Sequence, residues 1–259
     1  MGLLNFFKRN KRNKQEVSPG GSAVYRYGER EDDGKLHLPD EVGTYAEEIE
    51  AHFDQVFPGR RHGVFHEILS DYVHVDVHIL APTEKEPFYV VYTTGMSDLP
   101  MTLPPEVKKD MKTDISRAEL YILLPGDWDL DNLGPDSPMS VYWPIGLIKF
   151  LARFPHEYQT WLAYGHTVPN GAEYAPFDDS VGFGGVVLNW GDGPLGGFEA
   201  KDGQRIMCYG VIPCYKEEIE YKLKYGMDKL YDLLKENKVL GMLDPQRPNL
   251  CPDFKEVLD

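Results

Sequence analysis

Residues 73–80 read VHVDVHIL, and this alternation of apolar and polar side chains is the clearest strand signal in the sequence. Successive side chains of a strand point to opposite faces, so the valines and Ile79 share one face and His74, Asp76 and His78 share the other. The alternation predicts a strand with a core side and a polar side. We expect the polar side to be hydrated or hydrogen-bonded, as is typical of antiparallel sheets.

Further strand signals surround this stretch. Short runs rich in β-branched and aromatic residues, separated by turn residues, are typical of the strands of one sheet. The additional predicted strands are 64–69, 88–94, 117–124, 183–190 and 205–212.

Two segments with helical spacing are bounded or interrupted by proline. The first predicted helix begins near Thr44 and ends before Pro58. A second should start at Pro144, because a proline in the first turn lacks an N–H that would be unpaired there anyway. Pro155 should break or kink this helix before it resumes through residue 165.

The strongest helical periodicity lies at 215–237. Gly226 inside this predicted helix should cost about 1 kcal/mol relative to alanine, so we expect a packed neighbour to approach closely there. The apolar residues that define the periodicity are Ile219, Leu223, Met227, Leu230 and Leu234. Helical and strand-like segments alternate irregularly and without repeats, which favours one compact domain.

Composition and charge argue against several classes of protein. The 259 residues are 42% hydrophobic, and 27 Lys and Arg face 42 Asp and Glu, a net charge of −15. Such a surface repels phosphate backbones and anionic lipid, so we expect no nucleic-acid binding. We also expect no membrane span, because no apolar run reaches ~18 residues. Three cysteines without disulfide or zinc spacing favour the cytoplasm: Cys208, Cys214 and Cys251.

The charge is unevenly distributed along the chain. Residues 1–16 carry a net charge of +4, so the remaining residues carry −19. We interpret residues 1–35 as a flexible basic and polar lead-in, and residues 36–259 as the folded domain. The alternative role for the basic arm is a weak tether to a membrane surface or to an acidic partner.

Three patterns could carry chemistry, and each has a structural explanation that we favour. His74, Asp76 and His78 could chelate a divalent metal, but alternate strand residues lie ~6.6 Å apart, too far to meet one ion easily. The segment 191–196 matches GxGxxG, but a predicted loop follows it instead of a helix. The third pattern is a set of acidic residues in turn-rich loops, where carboxylates are usually solvated but could bind a cation or act in acid/base catalysis. These residues are Asp127, Asp129, Asp131, Asp178 and Asp179.

No nucleophile motif occurs either. We therefore predict no catalytic residue, no cofactor and no metal. A metal-assisted hydrolase remains the least favoured hypothesis.

A different signal lies at 154–170, where aromatic residues, two histidines and two prolines meet at a predicted helix-to-loop junction. Tyrosine and tryptophan offer large contact area with few torsions to freeze, and they are enriched at protein interfaces. This composition predicts a protein-binding surface that includes Trp161, Tyr164 and Asn170. An equally valid interpretation is that Trp161 and Tyr164 cap the core.

Five stretches together resemble the bacterial branch of the suppressor of fused domain family. GMSDLP and the WP…LAR…GH block are the most specific of these, and the order of the stretches is that of the family, from about residue 40 to 250. The stretches are VHVDVHIL (73–80), YTTGMSDLP (92–100), RAELYILLPGDW (117–128), WPIGLIKFLARFPHEYQTWLAYGHTVPNG (143–171) and YGVIPCYKEEIEYKLKYGMDKL (209–230).

The resemblance implies an α+β fold, a single compact domain with a mixed β-sheet flanked by helices, like the N-terminal domain of suppressor of fused. It implies no catalytic centre and no cofactor. By position, LARF…GHT resembles a part of the animal domain that contacts partners, which adds Phe154 and His166 to the candidate surface. The predicted partner-binding residues are then Phe154, Trp161, Tyr164, His166 and Asn170.

The resemblance also implies a function. Animal members sequester a transcription factor with the help of a second, C-terminal domain that has no counterpart in this sequence. Bacterial members are similar to immunity proteins of polymorphic toxin systems, which bind a cognate toxin. We therefore expect a non-enzymatic, cytoplasmic binding protein. The leading hypothesis is an immunity protein whose acidic surface attracts a basic toxin. The alternative is a regulatory adaptor that captures a peptide by strand addition to an open sheet edge.

Overall fold

A computed structural model describes residues 16–27, 37–68, 70–130, 133–134, 137–255 and 257. These residues contain ten strands and five α-helices. The strands are β1 (Glu16–Val17), β2 (Ala23–Val24), β3 (His62–Phe65), β4 (Asp76–Leu80), β5 (Phe88–Thr94), β6 (Arg117–Pro125), β7 (Thr167–Pro169), β8 (Gly185–Trp190), β9 (Gly197–Glu199) and β10 (Arg205–Cys214). The helices are α1 (Ala46–Val56), α2 (Pro105–Asp110), α3 (Met139–Glu157), α4 (Lys216–Tyr225) and α5 (Met227–Glu236).

One mixed sheet organises the domain. Its strand order is β3-β4-β5-β6-β10-β8-β7, and β9 pairs with β10. Neighbouring strands are antiparallel except β6 and β10, which run parallel with Glu119 opposite Cys208. The prediction of an α+β domain with a mixed sheet is confirmed, and β3 and β7 form the two ends of the strand order.

Helices cover both faces of this sheet. On one face, α3 buries Ile148 and Leu151 in the same cluster as the sheet valines Val75 and Val91. On the other face, Ile49 and Phe53 of α1 pack against Leu80 and Tyr92, and α4 and α5 add a third cluster beside β8 and β10. Because a sheet covered on both sides has no solvated face at its centre, apolar residues continue on both faces of the inner strands.

This double coverage corrects the expected polar side of residues 73–80. His78 is only 2% exposed, stacks on the ring of Tyr92 and hydrogen-bonds to Thr94 Oγ1 at 2.9 Å. The hydrogen-bonded interpretation therefore holds for His78, and the hydrated one does not. Val73 and Val75 are buried as expected, and Ile79 is partly buried against the same cluster.

Side-chain hydrogen bonds also shorten two predicted strands. The strand predicted at 64–69 spans His62–Phe65, and the strand predicted at 73–80 begins at Asp76. Between them, Val75 N donates to Glu67 Oε2 at 3.1 Å, and Glu67 N donates to Asp76 Oδ1 at 2.8 Å. These bonds satisfy backbone donors in place of the regular sheet pattern. Leu69 lies outside the described residues.

The prolines of α3 do not act as expected. The helix starts at Met139, before Pro144, and continues through Pro155 to Glu157. Pro144 and Pro155 are both buried with the apolar row of the helix, so core packing offsets the backbone bonds that they remove. The prediction that a helix resumes after Pro155 is wrong, because no helix follows between residues 158 and 166.

Gly226 ends α4, and the single helix predicted at 215–237 is therefore two helices. Its φ of 89° lies in the left-handed region that favours glycine. The expected close approach is present: Gly20 N donates to Leu223 O at 2.8 Å, and a Cβ on Gly20 would lie 2.5 Å from Gly226 N. The hairpin of β1 and β2, inside the predicted lead-in, thus contacts the domain. The boundary at residue 35 stays a prediction, and residues 1–15 and 28–36 lie outside the described residues.

Candidate partner-binding surface

The outer face of α3 carries a row of aromatic side chains at helical spacing. Phe150 is 45% exposed and its ring lies 5.9 Å from that of Phe154, which lies 4.9 Å from that of Tyr158. Tyr27, which is 40% exposed, packs edge-on to Phe154 at 5.3 Å, and its hydroxyl lies 2.5 Å from Thr160 Oγ1. We call Tyr27, Phe150, Phe154 and Tyr158 the α3 aromatic cluster.

Trp161 and His166 form a separate pair after the end of α3. Their rings meet edge to face at 4.3 Å, and both side chains are half-buried. Burial, together with the nearby Lys222 ammonium, lowers the pKa of His166 to about 4, so the imidazole is neutral at pH 7. The buried indole N–H of Trp161 has no hydrogen-bond partner among the described residues.

Tyr164 belongs to a third set of contacts. Its ring lies 6.2 Å from Trp190, whose side chain is 46% exposed. Burial raises the pKa of the Tyr164 hydroxyl, and the nearby Asp228 raises it further, so this hydroxyl is a neutral phenol at pH 7. Tyr164 and Trp190 therefore offer a second accessible aromatic area.

Asn170 has a structural role. Its side-chain Nδ2 donates to Ala175 O at 2.7 Å, and its backbone N donates to Gly184 O at 2.8 Å. These bonds hold the loop that follows β7. The five residues predicted for partner binding thus fall into separate sets of contacts instead of one continuous patch, and whether each meets a partner stays a prediction.

Three members of the α3 aromatic cluster had a usable sequence signal. Phe150, Phe154 and Tyr158 recur every four residues, which places them on one face of a helix. Tyr27 had none, because it follows β2 and lies far from α3 in the sequence.

The cations of α3 next to the cluster are paired within the protein. Arg153 contacts Glu67, and Lys149 Nζ lies 3.6 Å from Glu67 Oε1. Burial lowers the pKa of both cations. Glu67 itself is buried, so these pairs hold α3 against the segment before β4 instead of presenting positive charge to a partner.

The GMSD part of the 92–100 stretch is structural. Gly95 has a φ of 99°, and a Cβ there would overlap the His74 carbonyl oxygen. The buried Glu119 carboxylate accepts hydrogen bonds from Ser97 N at 2.9 Å, from Ser97 Oγ at 2.6 Å and from Thr93 Oγ1 at 2.6 Å. Burial raises the pKa of Glu119 to about 8 even though these bonds oppose the shift. Met96, Ser97 and Asp98 are buried, so this part of the stretch fixes the fold.

The residues considered for metal binding on the polar side of 73–80 do not meet at one point. His74 Nε2 lies 3.1 Å from Asp76 Oδ1, and Asp76 Oδ2 also contacts His66 at 2.9 Å. His78 instead faces His62 and Thr94.

The stretch 191–196 does not open a helix of the kind that a dinucleotide site needs. Gly193–Gly196 within it form a short 3₁₀ helix that leads into β9. Asp178 accepts a hydrogen bond from Ser180 N in a turn, and the hydrogen bonds from Ser180 lower the pKa of Asp178. Asp131 lies outside the described residues. The three cysteines are free thiols, and Cys208 and Cys214 are buried.

Solved structures with this fold confirm the architecture. A putative suppressor of fused homolog from Neisseria gonorrhoeae aligns with a TM-score of 0.56 at 15% identity, covering 80% of this chain and 96% of that one. A structure of the Sufu–Fu complex aligns at 0.52 and 15%, covering 79% and 91%. Drosophila Suppressor of Fused aligns at 0.52 and 15%, covering 78% of this chain but only 50% of that one.

The family follows from the sequence match. A family model described as Suppressor of fused protein (SUFU) matches residues 71–248, well over half of the chain. The protein therefore belongs to the suppressor of fused family. No curated protein matches it.

None of the helices within the described residues has the length and apolar character that a membrane span requires.

Proposed function

We propose that this protein is a non-enzymatic, cytoplasmic protein-binding domain, and specifically an immunity protein that neutralises a cognate toxin by covering its surface. The observation that carries the proposal is the accessible α3 aromatic cluster on a suppressor of fused fold. Aromatic side chains that are already packed against each other lose little conformational freedom on binding. The Sufu–Fu complex is a protein complex of a similar fold, which supports protein binding as the general activity.

Charge supports a basic partner. The chain carries −15 overall, and α1 presents acidic side chains at Glu47, Glu48, Glu50 and Asp54. A toxin that acts on nucleic acid needs positive charge around its active site, and opposite charges accelerate encounter at low salt. The acidic body would therefore steer the toxin, and aromatic contacts would hold it.

The experiment uses the protein encoded by the neighbouring gene as the partner. Co-expression of this chain should restore growth of cells that express that protein, and the purified pair should form a complex. Phe154→Ala should weaken the complex by about 1–3 kcal/mol in calorimetry, because half-buried aromatic residues at the centre of an interface dominate binding energy. The matched control is Met242→Ala, since Met242 is also an accessible apolar residue but belongs to the C-terminal segment.

Two results would contradict the proposal. One is loss of growth rescue by both variants to the same extent, which would place the interface elsewhere. The other is absence of rescue by the wild-type chain. Trp161→Ala and His166→Ala extend the test to the pair after α3. If these variants lose stability to the same degree as they lose binding free energy, the two side chains belong to the core.

A second candidate function, peptide capture by strand addition, has its own supporting observation. Ala81 N donates to Arg61 O at 2.8 Å, so the antiparallel register makes residues 61, 63 and 65 the ones that bond to β4. The backbone groups of His62 and Val64 then point away from β4, and Val64 is exposed. No described residue pairs with them, so β3 is an open edge. Val64→Pro should abolish peptide capture here and leave growth rescue through the α3 aromatic cluster unchanged.

A further inference from the structure

Three side chains with metal-binding atoms converge from different elements on the sheet face that α1 covers. Glu50 lies on α1, His62 on the edge strand β3 and His78 on β4. One ligand atom of each lies within 4.8 Å of those of the other two. The closest pair is His62 Nε2 and His78 Nδ1, which are 2.9 Å apart.

The donor set matches the chemistry of zinc. Imidazole nitrogen and carboxylate oxygen bind Zn²⁺ at about 2.0–2.2 Å, and two histidines with one glutamate are a known ligand combination. Tetrahedral geometry at those bond lengths separates neighbouring ligand atoms by about 3.3 Å. The two imidazole nitrogens therefore need to move apart only slightly. Glu50 and His62 are half-buried on a surface helix and an edge strand, so both have room to adjust.

His78 is held in the orientation that a ligand requires. Its ring is buried and stacks on Tyr92 at 4.8 Å, and its Nε2 lies 2.9 Å from Thr94 Oγ1. A ligating histidine commonly uses its other ring nitrogen for such a hydrogen bond, which fixes the tautomer. When Nε2–H donates to Thr94, the lone pair on Nδ1 points at His62 and is available to an ion.

We propose that Glu50, His62 and His78 bind one divalent transition-metal ion of the zinc class, with water at the remaining position. The ion would join α1 to the edge hairpin of β3 and β4 and so stabilise the open end of the sheet. The site lies on the sheet face opposite α3. It therefore stands or fails independently of the α3 aromatic cluster.

The test uses the full-length chain after treatment with a chelator, titrated with ZnCl₂ in a calorimeter. The wild type should bind one Zn²⁺ per chain, and its melting temperature should rise with zinc but not with MgCl₂. Glu50→Gln and His62→Asn should each lower the zinc affinity at least tenfold, because each removes a direct ligand. The matched control is His66→Asn, an exposed histidine on the next segment, which should bind zinc like the wild type.

Two results would overturn the proposal. One is the absence of saturable zinc binding by the wild type. The other is an affinity that Glu50→Gln and His62→Asn leave unchanged, which would reduce the pair His62 and His78 to a simple hydrogen bond. His78 is buried, so its replacement risks unfolding, and the test therefore depends on the two half-buried ligands.

Discussion

Arg247 holds the C-terminal segment against the start of α4, and its replacement gives a sharp test of this packing. The guanidinium donates to both carboxylate oxygens of Glu218 at 2.6 Å and to Pro213 O at 2.9 Å. The side chains of Arg247 and Glu218 are 6% and 0% exposed. Arg247→Met would therefore leave a buried carboxylate without its cation.

The size of the effect follows from what remains around that carboxylate. Removing one partner of a buried ion pair costs about 3–5 kcal/mol, because the other charge stays desolvated. Glu218 keeps two backbone donors, Tyr215 N at 3.0 Å and Leu250 N at 3.1 Å, so we expect the lower end of that range. Urea unfolding followed by circular dichroism should show a fall in the free energy of unfolding of about 3 kcal/mol.

A second variant separates the charge effect from lost packing. Glu218→Gln combined with Arg247→Met removes both charges and keeps an acceptor for one of the two backbone donors, because Tyr215 N and Leu250 N bond to different carboxylate oxygens. This double variant should recover part of the loss. A loss below about 1 kcal/mol in the single variant, or no recovery in the double variant, would refute the electrostatic argument.

Three further predictions concern the hairpin, pH and salt. Gly20→Val should detach the hairpin of β1 and β2 and make it sensitive to protease, because a Cβ on residue 20 would lie 2.5 Å from Gly226 N. The control is Gly63→Val, which should stay resistant because a Cβ on residue 63 would meet no atom within 4 Å. Burial holds the pKa of His156 and His166 at about 4, against an ordinary value near 6.5. The folded state then binds fewer protons than the unfolded state, so thermal stability should fall between about pH 6.5 and pH 4, and His166→Gln should flatten that decline. The association rate with a basic partner should fall several-fold between 50 mM and 500 mM NaCl, measured by stopped flow, and an unchanged rate would exclude electrostatic steering.

Local patterns were enough to predict most of the sheet and the first helix. The alternation at 73–80 and the apolar runs at 88–94 and 117–124 correspond to β4, β5 and β6, because strand periodicity is a local property. Gly226 also signalled a close approach correctly. The interruption of the helix at that residue was missed, since helical spacing continues across it.

Tertiary packing decided the features that local patterns missed. Pro144 and Pro155 remain inside α3 because their rings are buried in the core, which no local propensity encodes. The alternation predicts a solvent-facing His78, but α1 covers that side of the sheet. The contact of Tyr27 with Phe154 and the proximity of Glu50 and His62 to His78 involve residues from separate elements, so a single sequence gives no signal for them.

We propose that the protein acts by stoichiometric contact with another protein. Its most direct test is a titration of this chain into a fixed amount of the neighbouring gene's product, with the residual activity of that product measured at each ratio. Stoichiometric binding predicts a linear decline that reaches zero at one chain per toxin molecule. Complete inactivation at a small fraction of that ratio would mean that one chain acts on many toxin molecules, and it would contradict the claim.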